Sequence, residues 1–429
     1  MNLIKTSLFN GISVVVKMFT LLGINKILAL YVGPSGYAAL GQLQNALTMI
    51  TTLSSGAVNT GVTKYTAEYI DEPGKQHAVW KTATTLALAG SLVVGVAVAV
   101  FNNELSSYFF KTDVYGSVFI WVAISLFFFT FNALLLAIIN GKKDVKTLVI
   151  ANIAGSFLSL IVTGFLTWFF GLYGALVSLG IYQASAFVTT VFLCRKSAWF
   201  RVDYFFGRLD KKIAINLSKF AAMALTTAAC VPLAQILIRN HLISNFGAEY
   251  AGYWEAMWRL SSAYLLLVTT TLGVYYLPRL SELVGYDAVV KEVSEGYKFI
   301  LPVAIICCIV VYFLRDFVIQ VLFTEQFLPM RDLFAFQLIG DVMKIGSWIL
   351  AYVMLGKAMY KLYIVTEIVF AVSFYGFVLL FTRWHGFQGV VEGYAFNYLL
   401  YWIVMFVCIA VALKRNASYV DESPNKRSQ

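Results

Sequence analysis

Runs of twenty or more mostly apolar residues recur down the whole length of this chain, with only short charged or Gly/Pro/Asn punctuation between them. A helix needs about 20 such residues to cross a bilayer, so each run reads as a candidate membrane span. Twelve can be marked, at residues 10–32, 40–62, 80–101, 116–140, 147–170, 172–195, 213–240, 250–278, 298–323, 333–356, 361–382 and 389–413. With 60% hydrophobic and only 13% charged residues, the chain cannot be a soluble globule. The expected fold class is an all-α polytopic membrane protein of 12 transmembrane helices.

The basic residues give an orientation, because Lys and Arg collect in cytoplasmic loops near span ends. Lys5, Lys64, Lys75, Lys81, Lys142, Lys143, Lys146, the Arg195–Lys212 cluster, Arg279, Lys291, Lys298, Lys357, Lys361 and the C-terminal bases all fall on the side of the N-terminus. Lys111, Arg239, Arg331 and Arg383 fall on the other. Both termini are therefore expected in the cytoplasm. The net charge of +10 is mostly this bias, and no nucleic-acid surface is read into it. Lys17 interrupts the first apolar run, which lacks a small-residue cleavage site and so reads as a retained span. The five cysteines lie in or at the edges of spans, where packing is their expected role.

Weak symmetry relates the two halves. Gly141/Gly356, Lys142/Lys357, Lys146/Lys361, Gly171/Gly386 and Gly174/Gly389 share one offset of 215 residues, and Gly33 and Gly247 lie 214 apart. An even number of spans per half places the second in the same orientation as the first, giving parallel repeats. The expected organisation is a six-helix bundle over 1–200, a cytoplasmic linker over 201–212, a second six-helix bundle over 213–414, and a flexible cytoplasmic tail over 415–429. Two such bundles around a central cavity suit alternating access. Loops of about 15 to 20 residues leave no room for a catalytic domain, and neither GxxxxGK[ST] nor HExxH occurs, so no enzyme, cofactor or metal site is expected.

The chemistry must then lie in the charges within the spans, since a charge at the bilayer centre costs at least about 2.5–3.5 kcal/mol and faces a protein interior or a watered cavity. They are Lys17, Lys26, Lys219, Glu255, Arg259, Arg315, Asp316, Asp341, Lys344, Glu367 and Glu392. Glu255 with Arg259, and Asp341 with Lys344, stand four and three residues apart, so each pair shares a helix face and can partly neutralise itself. Lys17 and Lys219 have no local acid, and each sits on the first helix of its half. Such ammonium groups suit a multiply negative phosphate. The candidate substrate set is Lys17, Lys26, Lys219, Arg259 and Lys344, with Glu255, Asp341 and Glu367 as acids for pairing or ion coupling. Snorkelling to the headgroups is the competing reading for Lys17 and Lys26, and a structural bridge is the competing reading for the pairs. The segment YWEAMWRL sets Tyr253, Trp254 and Trp258 beside Glu255 and Arg259, as sugar-stacking rings or as an interfacial belt.

Finally, VTKY (62–65), LSKF (217–220), YKFILP (297–302), LRDF (314–317), MRDLFAFQL (330–338) and GDVMK (340–344) resemble segments of bacterial O-antigen and enterobacterial-common-antigen translocases. These are the Wzx-type flippases of the multidrug/oligosaccharidyl-lipid/polysaccharide exporter superfamily. The resemblance implies movement of an undecaprenyl-pyrophosphate-linked oligosaccharide from the cytoplasmic to the periplasmic leaflet of the bacterial inner membrane. It implies membrane lipids as partners, and a polymerase and chain-length regulator where the glycan is an O-antigen, with the flippase itself a monomer. Proton or sodium coupling stays open. By motif it carries over Lys64, Lys219, Arg315, Asp316, Arg331, Asp332, Asp341 and Lys344. The alternatives are a multidrug cation antiporter, whose pathway should be lined mainly by acids, a peptidoglycan-precursor flippase, which usually has two further spans, and a membrane glycan polymerase or glycosyltransferase, which should show a large outward loop.

Overall fold

The computed structural model describes residues 3–276, 279–280, 283, 285–357 and 359–421. The side chains at 3–10, 183, 219–220, 222–223, 274 and 413–421 lie outside the described set, and Lys219 is among them. Every regular element among the described residues is helical. In chain order they are α1 (Leu3–Ser54), α2 (Asn59–Glu68), α3 (Pro73–Val100), α4 (Asn102–Phe110), α5 (Gly116–Gly141), α6 (Val145–Cys194), α7 (Lys211–Phe246), α8 (Ala248–Thr271), α9 (Tyr286–Phe313), α10 (Arg315–Leu322), α11 (Phe334–Gly356), α12 (Tyr360–His385) and α13 (Gly389–Asp421). Short 3-10 or π turns join some of them.

Among the described residues, seven stretches are long and apolar enough to cross a membrane. Three of them, Gly11–Ser54, Val145–Cys194 and Tyr360–Ala412, run to 44, 50 and 53 residues, far beyond the length of one crossing. Each contains a glycine in the left-handed region: Gly33 (φ 67°), Gly171 (φ 55°) and Gly386 (φ 64°). A side chain is strained there, so glycine marks where the helix direction breaks. Gly247 (φ 99°) separates α7 from α8 in the same manner. These four are among the glycines whose spacing suggested the repeat. At Gly33 the next residue is Pro34, which opens the second segment without needing an amide donor. Across that bend the Tyr37 hydroxyl donates to the Asn25 carbonyl at 2.6 Å.

The chain forms two compact units. The first comprises the chain through Glu255 together with Leu322–Gln326. Its division falls beyond the 201–212 segment because α7 packs on α1 within this unit. That segment is more than a tether: Phe205 is buried and stacks on Trp80, with ring centroids 5.9 Å apart. The second unit comprises Ala256–Val321 and the chain from Phe327 onward, around a core that includes Leu272, Ile349, Val353 and Met405. Here one expected span ends earlier than the sequence suggested. The long apolar helix α9 ends at Phe313, so Arg315 and Asp316 open the separate helix α10 instead of lying inside a span. Large apolar side chains such as Phe299, Phe313 and Val372 project outward, as lipid contact requires. None of the five cysteines is in a disulfide, and Cys194 and Cys308 are buried.

Candidate functional site

In the second unit α8, α11 and α13 converge on the charges of GDVMK. Gly340 makes this convergence close, since a Cβ there would lie 2.4 Å from the Tyr394 ring. Asp341 is fully buried on α11. Its Oδ2 accepts from the Ser261 hydroxyl at 2.7 Å and from the Tyr264 hydroxyl, both on α8. Its Oδ1 accepts from the Tyr394 hydroxyl on α13 at 2.7 Å and, more weakly, from Gln337 Nε2 at 3.4 Å. A carboxylate has lone pairs for four such donors, so these bonds replace the water it loses on burial.

Lys344, one turn further along α11, is 8% exposed and meets a different environment. Its Nζ lies 4.7 Å from the Trp258 ring centroid, 5.1 Å from Trp348, 5.6 Å from Tyr394 and 5.1 Å from Tyr398. Each ring face attracts a cation, by about 0.5–2 kcal/mol according to how dry the site is. Among the described residues no carboxylate oxygen lies within 4.0 Å of that ammonium and none accepts a hydrogen bond from it. Asp341 and Lys344 attract each other through space, as the shared helix face suggested, but each holds its own contacts, a hydroxyl ring around the acid and an aromatic cage around the base. Tyr394 belongs to both. The charges of Asp341 and of Glu367, half-buried on α12, both act on Lys344.

The first unit holds a second buried cluster. Arg239 donates through one guanidinium nitrogen to Glu255 Oε2 at 2.5 Å and through the other to Gln42 Oε1 at 3.0 Å. Gln42 Nε2 in turn donates to Asn240 Oδ1 at 2.7 Å, and the guanidinium lies 5.3 Å from the Trp254 ring. Gly41 leaves room for the ion pair, because a Cβ there would stand 2.2 Å from Glu255 Oε2. The sequence reading placed Arg239 at the outer end of a span. In the structure α7 continues to Phe246 and Arg239 is almost completely buried. Nor do Trp254 and Trp258 form an interfacial belt: Trp254 is buried beside Arg239, and Trp258 is one wall of the Lys344 cage.

The remaining sequence candidates are dispersed. Lys17 is exposed on α1. Lys26 donates to the Phe323 carbonyl at 2.6 Å, tying the distant Leu322–Gln326 segment to α1 within the first unit. Arg259 is half-buried on α8. Among the motif residues, Arg331 forms a two-pronged bridge to Asp316 at 2.6 and 3.1 Å on the surface of the second unit. Glu392, another of the charges expected within the spans, meets His385.

Set against known proteins, residues 33–332 match the family model described as polysaccharide biosynthesis protein. The chain is 31% identical over 406 residues to the lipid III flippase of Escherichia coli K12, covering 94% of this chain and 96% of that one, and equally to the lipid III flippase of Shigella flexneri. By fold it resembles a multidrug resistance MATE family transporter of the MOP superfamily in its inward-facing conformation, with TM-score 0.75 at 16% identity over 93% of this chain and 95% of that one. An outward-facing transporter of the same description superposes with TM-score 0.65 at 14% identity, over 94% and 96% of the two chains. These relatives are flippases and transporters, not enzymes.

Proposed function

The chain belongs to the polysaccharide biosynthesis protein family, and from that premise we propose that it is a flippase for a lipid-linked oligosaccharide. Its substrate on this reading is an undecaprenyl-pyrophosphate-linked glycan repeat of an O-antigen or related surface polymer, carried from the cytoplasmic to the periplasmic leaflet of the bacterial inner membrane. The observation that carries the proposal is end-to-end similarity, 31% over 94% of the chain, to proteins named lipid III flippase.

The architecture proposed with it is twelve spans in two parallel repeats over 1–200 and 213–414, with both termini cytoplasmic, working by alternating access. Division of the longest helices at Gly33, Gly171 and Gly386 supports that count. Lys17 and Lys219 are proposed to meet the pyrophosphate from the cytoplasmic side, with Lys26 and Arg259 as further bases. Asp341, Glu255 and Glu367 are the acids available for proton or sodium coupling, and a polymerase and a chain-length regulator are the partners proposed downstream of a monomeric flippase. The test is depletion of the protein in its host, followed by identification of the lipid-linked saccharide that collects. The expected result is an oligosaccharyl pyrophosphoryl lipid protected in the cytoplasmic leaflet. Unchanged lipid-linked saccharides with normal surface glycan would overturn the proposal.

A further inference from the structure

A buried lysine ordinarily ends on a carboxylate or a carbonyl, because an ammonium left without such a partner in a dry interior is costly. Lys344 ends instead among four rings contributed by three helices, at 4.7–5.6 Å from its Nζ. That is the arrangement by which proteins recognise alkylated ammonium ions: ring faces on several sides, with negative charge close behind. Asp341 supplies the charge, linked to the cage through the Tyr394 hydroxyl. We infer that these rings form a seat for an organic ammonium ion, which the chain fills with its own Lys344 and so closes to free organic cations.

The seat does not depend on the lysine that fills it. Trp258 and Tyr394 brace each other edge to face at 5.6 Å, and Tyr394 and Tyr398 do so at 4.9 Å. Tyr394 is anchored separately by its bond to Asp341, and the four donors to Asp341 leave that acid satisfied when Lys344 is shortened. Truncation at position 344 therefore opens a cation-sized space with its walls in place. The inference goes beyond the flippase reading and stands on the cage geometry alone. Its consequence is selectivity: one side chain separates a chain that excludes organic cations here from one that would admit them.

The experiment uses full-length protein purified in detergent, titrated with tetramethylammonium chloride against sodium chloride at equal ionic strength. Tryptophan fluorescence, to which Trp258 and Trp348 contribute, and melting temperature are the readouts. For Lys344→Ala a saturable fluorescence change and a rise in melting temperature are expected, with affinity at least ~10-fold above that of the wild type. Lys344→Arg, which keeps a cation on the stem, should stay as unresponsive as wild type. Lys344→Ala/Tyr398→Leu should lose most of the gain. A folded Lys344→Ala protein with the wild-type response would overturn the inference. Should Lys344→Ala unfold on extraction, tetramethylammonium in the buffer is expected to restore folded protein, and failure to do so for both Lys344→Ala and Lys344→Ser would overturn it equally.

Discussion

Asp341 and Lys344 share Tyr394 without touching each other. The tyrosine hydroxyl donates to Asp341 Oδ1 at 2.7 Å, while its ring centroid lies 5.6 Å from Lys344 Nζ. One side chain thus serves the acid with its polar tip and the base with its apolar face.

The two roles separate by substitution. Tyr394→Phe keeps the ring and removes one of the donors to Asp341, so a loss of about 1–3 kcal/mol is expected. Tyr394→Leu removes the cage wall as well and should cost more. Thermal unfolding in detergent measures both, and equal losses would show that the ring contributes nothing to holding Lys344.

In the first unit, Arg239 and Glu255 are buried together, and Gly41 is the space they occupy. Removing one partner, as in Glu255→Gln or Arg239→Met, should cost about 3–5 kcal/mol by leaving the other charge buried alone. Gly41→Ala adds only a methyl group, yet it should also destabilise, by about 1–3 kcal/mol, because the pair must shift to admit it. If Gly41→Ala melts with the wild type, the close approach at this glycine is not a constraint on the fold.

How much of this was legible in the sequence depends on distance along the chain. The helices and their breaks were readable because they are local: apolar length sets α5 or α11, and single glycines at 33, 171, 247 and 386 set the turns. The partners of Asp341 were not, since Ser261, Tyr264 and Tyr394 stand 53 to 80 residues away. Proximity of three residues did suggest the attraction between Asp341 and Lys344, but not these hydroxyl partners. A usable signal was present in the spacing: Trp258, Ser261 and Tyr264 recur every three residues on α8, and Tyr394 and Tyr398 stand four apart on α13. Each series presents polar-tipped or aromatic groups along one face. The burial of Arg239 was not readable either, because a charge at the end of an apolar run looks like a loop residue until a buried acid is found for it.

Charge at Lys17 is the simplest test of the substrate path. Lys17→Glu and Lys219→Glu should each abolish glycan export while the protein inserts at normal abundance, and the Arg replacements should be milder because charge is kept. Wild-type surface glycan from both Glu variants would remove these lysines from the pathway.

The double substitution Asp341→Leu/Lys344→Met asks whether the two charges act as one unit. A direct buried ion pair would make the single losses large and the double loss small, since each charge is orphaned only when the other is removed. With separate sites the expectation differs. Asp341→Leu leaves the Ser261, Tyr264 and Tyr394 hydroxyls without their acceptor, which should cost about 2–5 kcal/mol. Lys344→Met replaces a caged cation by a side chain of similar length and should cost less. The interaction term of the cycle then reports the through-space attraction between the two charges and should be smaller than the Asp341→Leu loss in thermal unfolding. Glycan export, scored on the same four proteins, carries the functional half of the test. A stable double variant that no longer exports would place the charges in transport, whereas a stable and active one would leave them as packing devices of this helix junction.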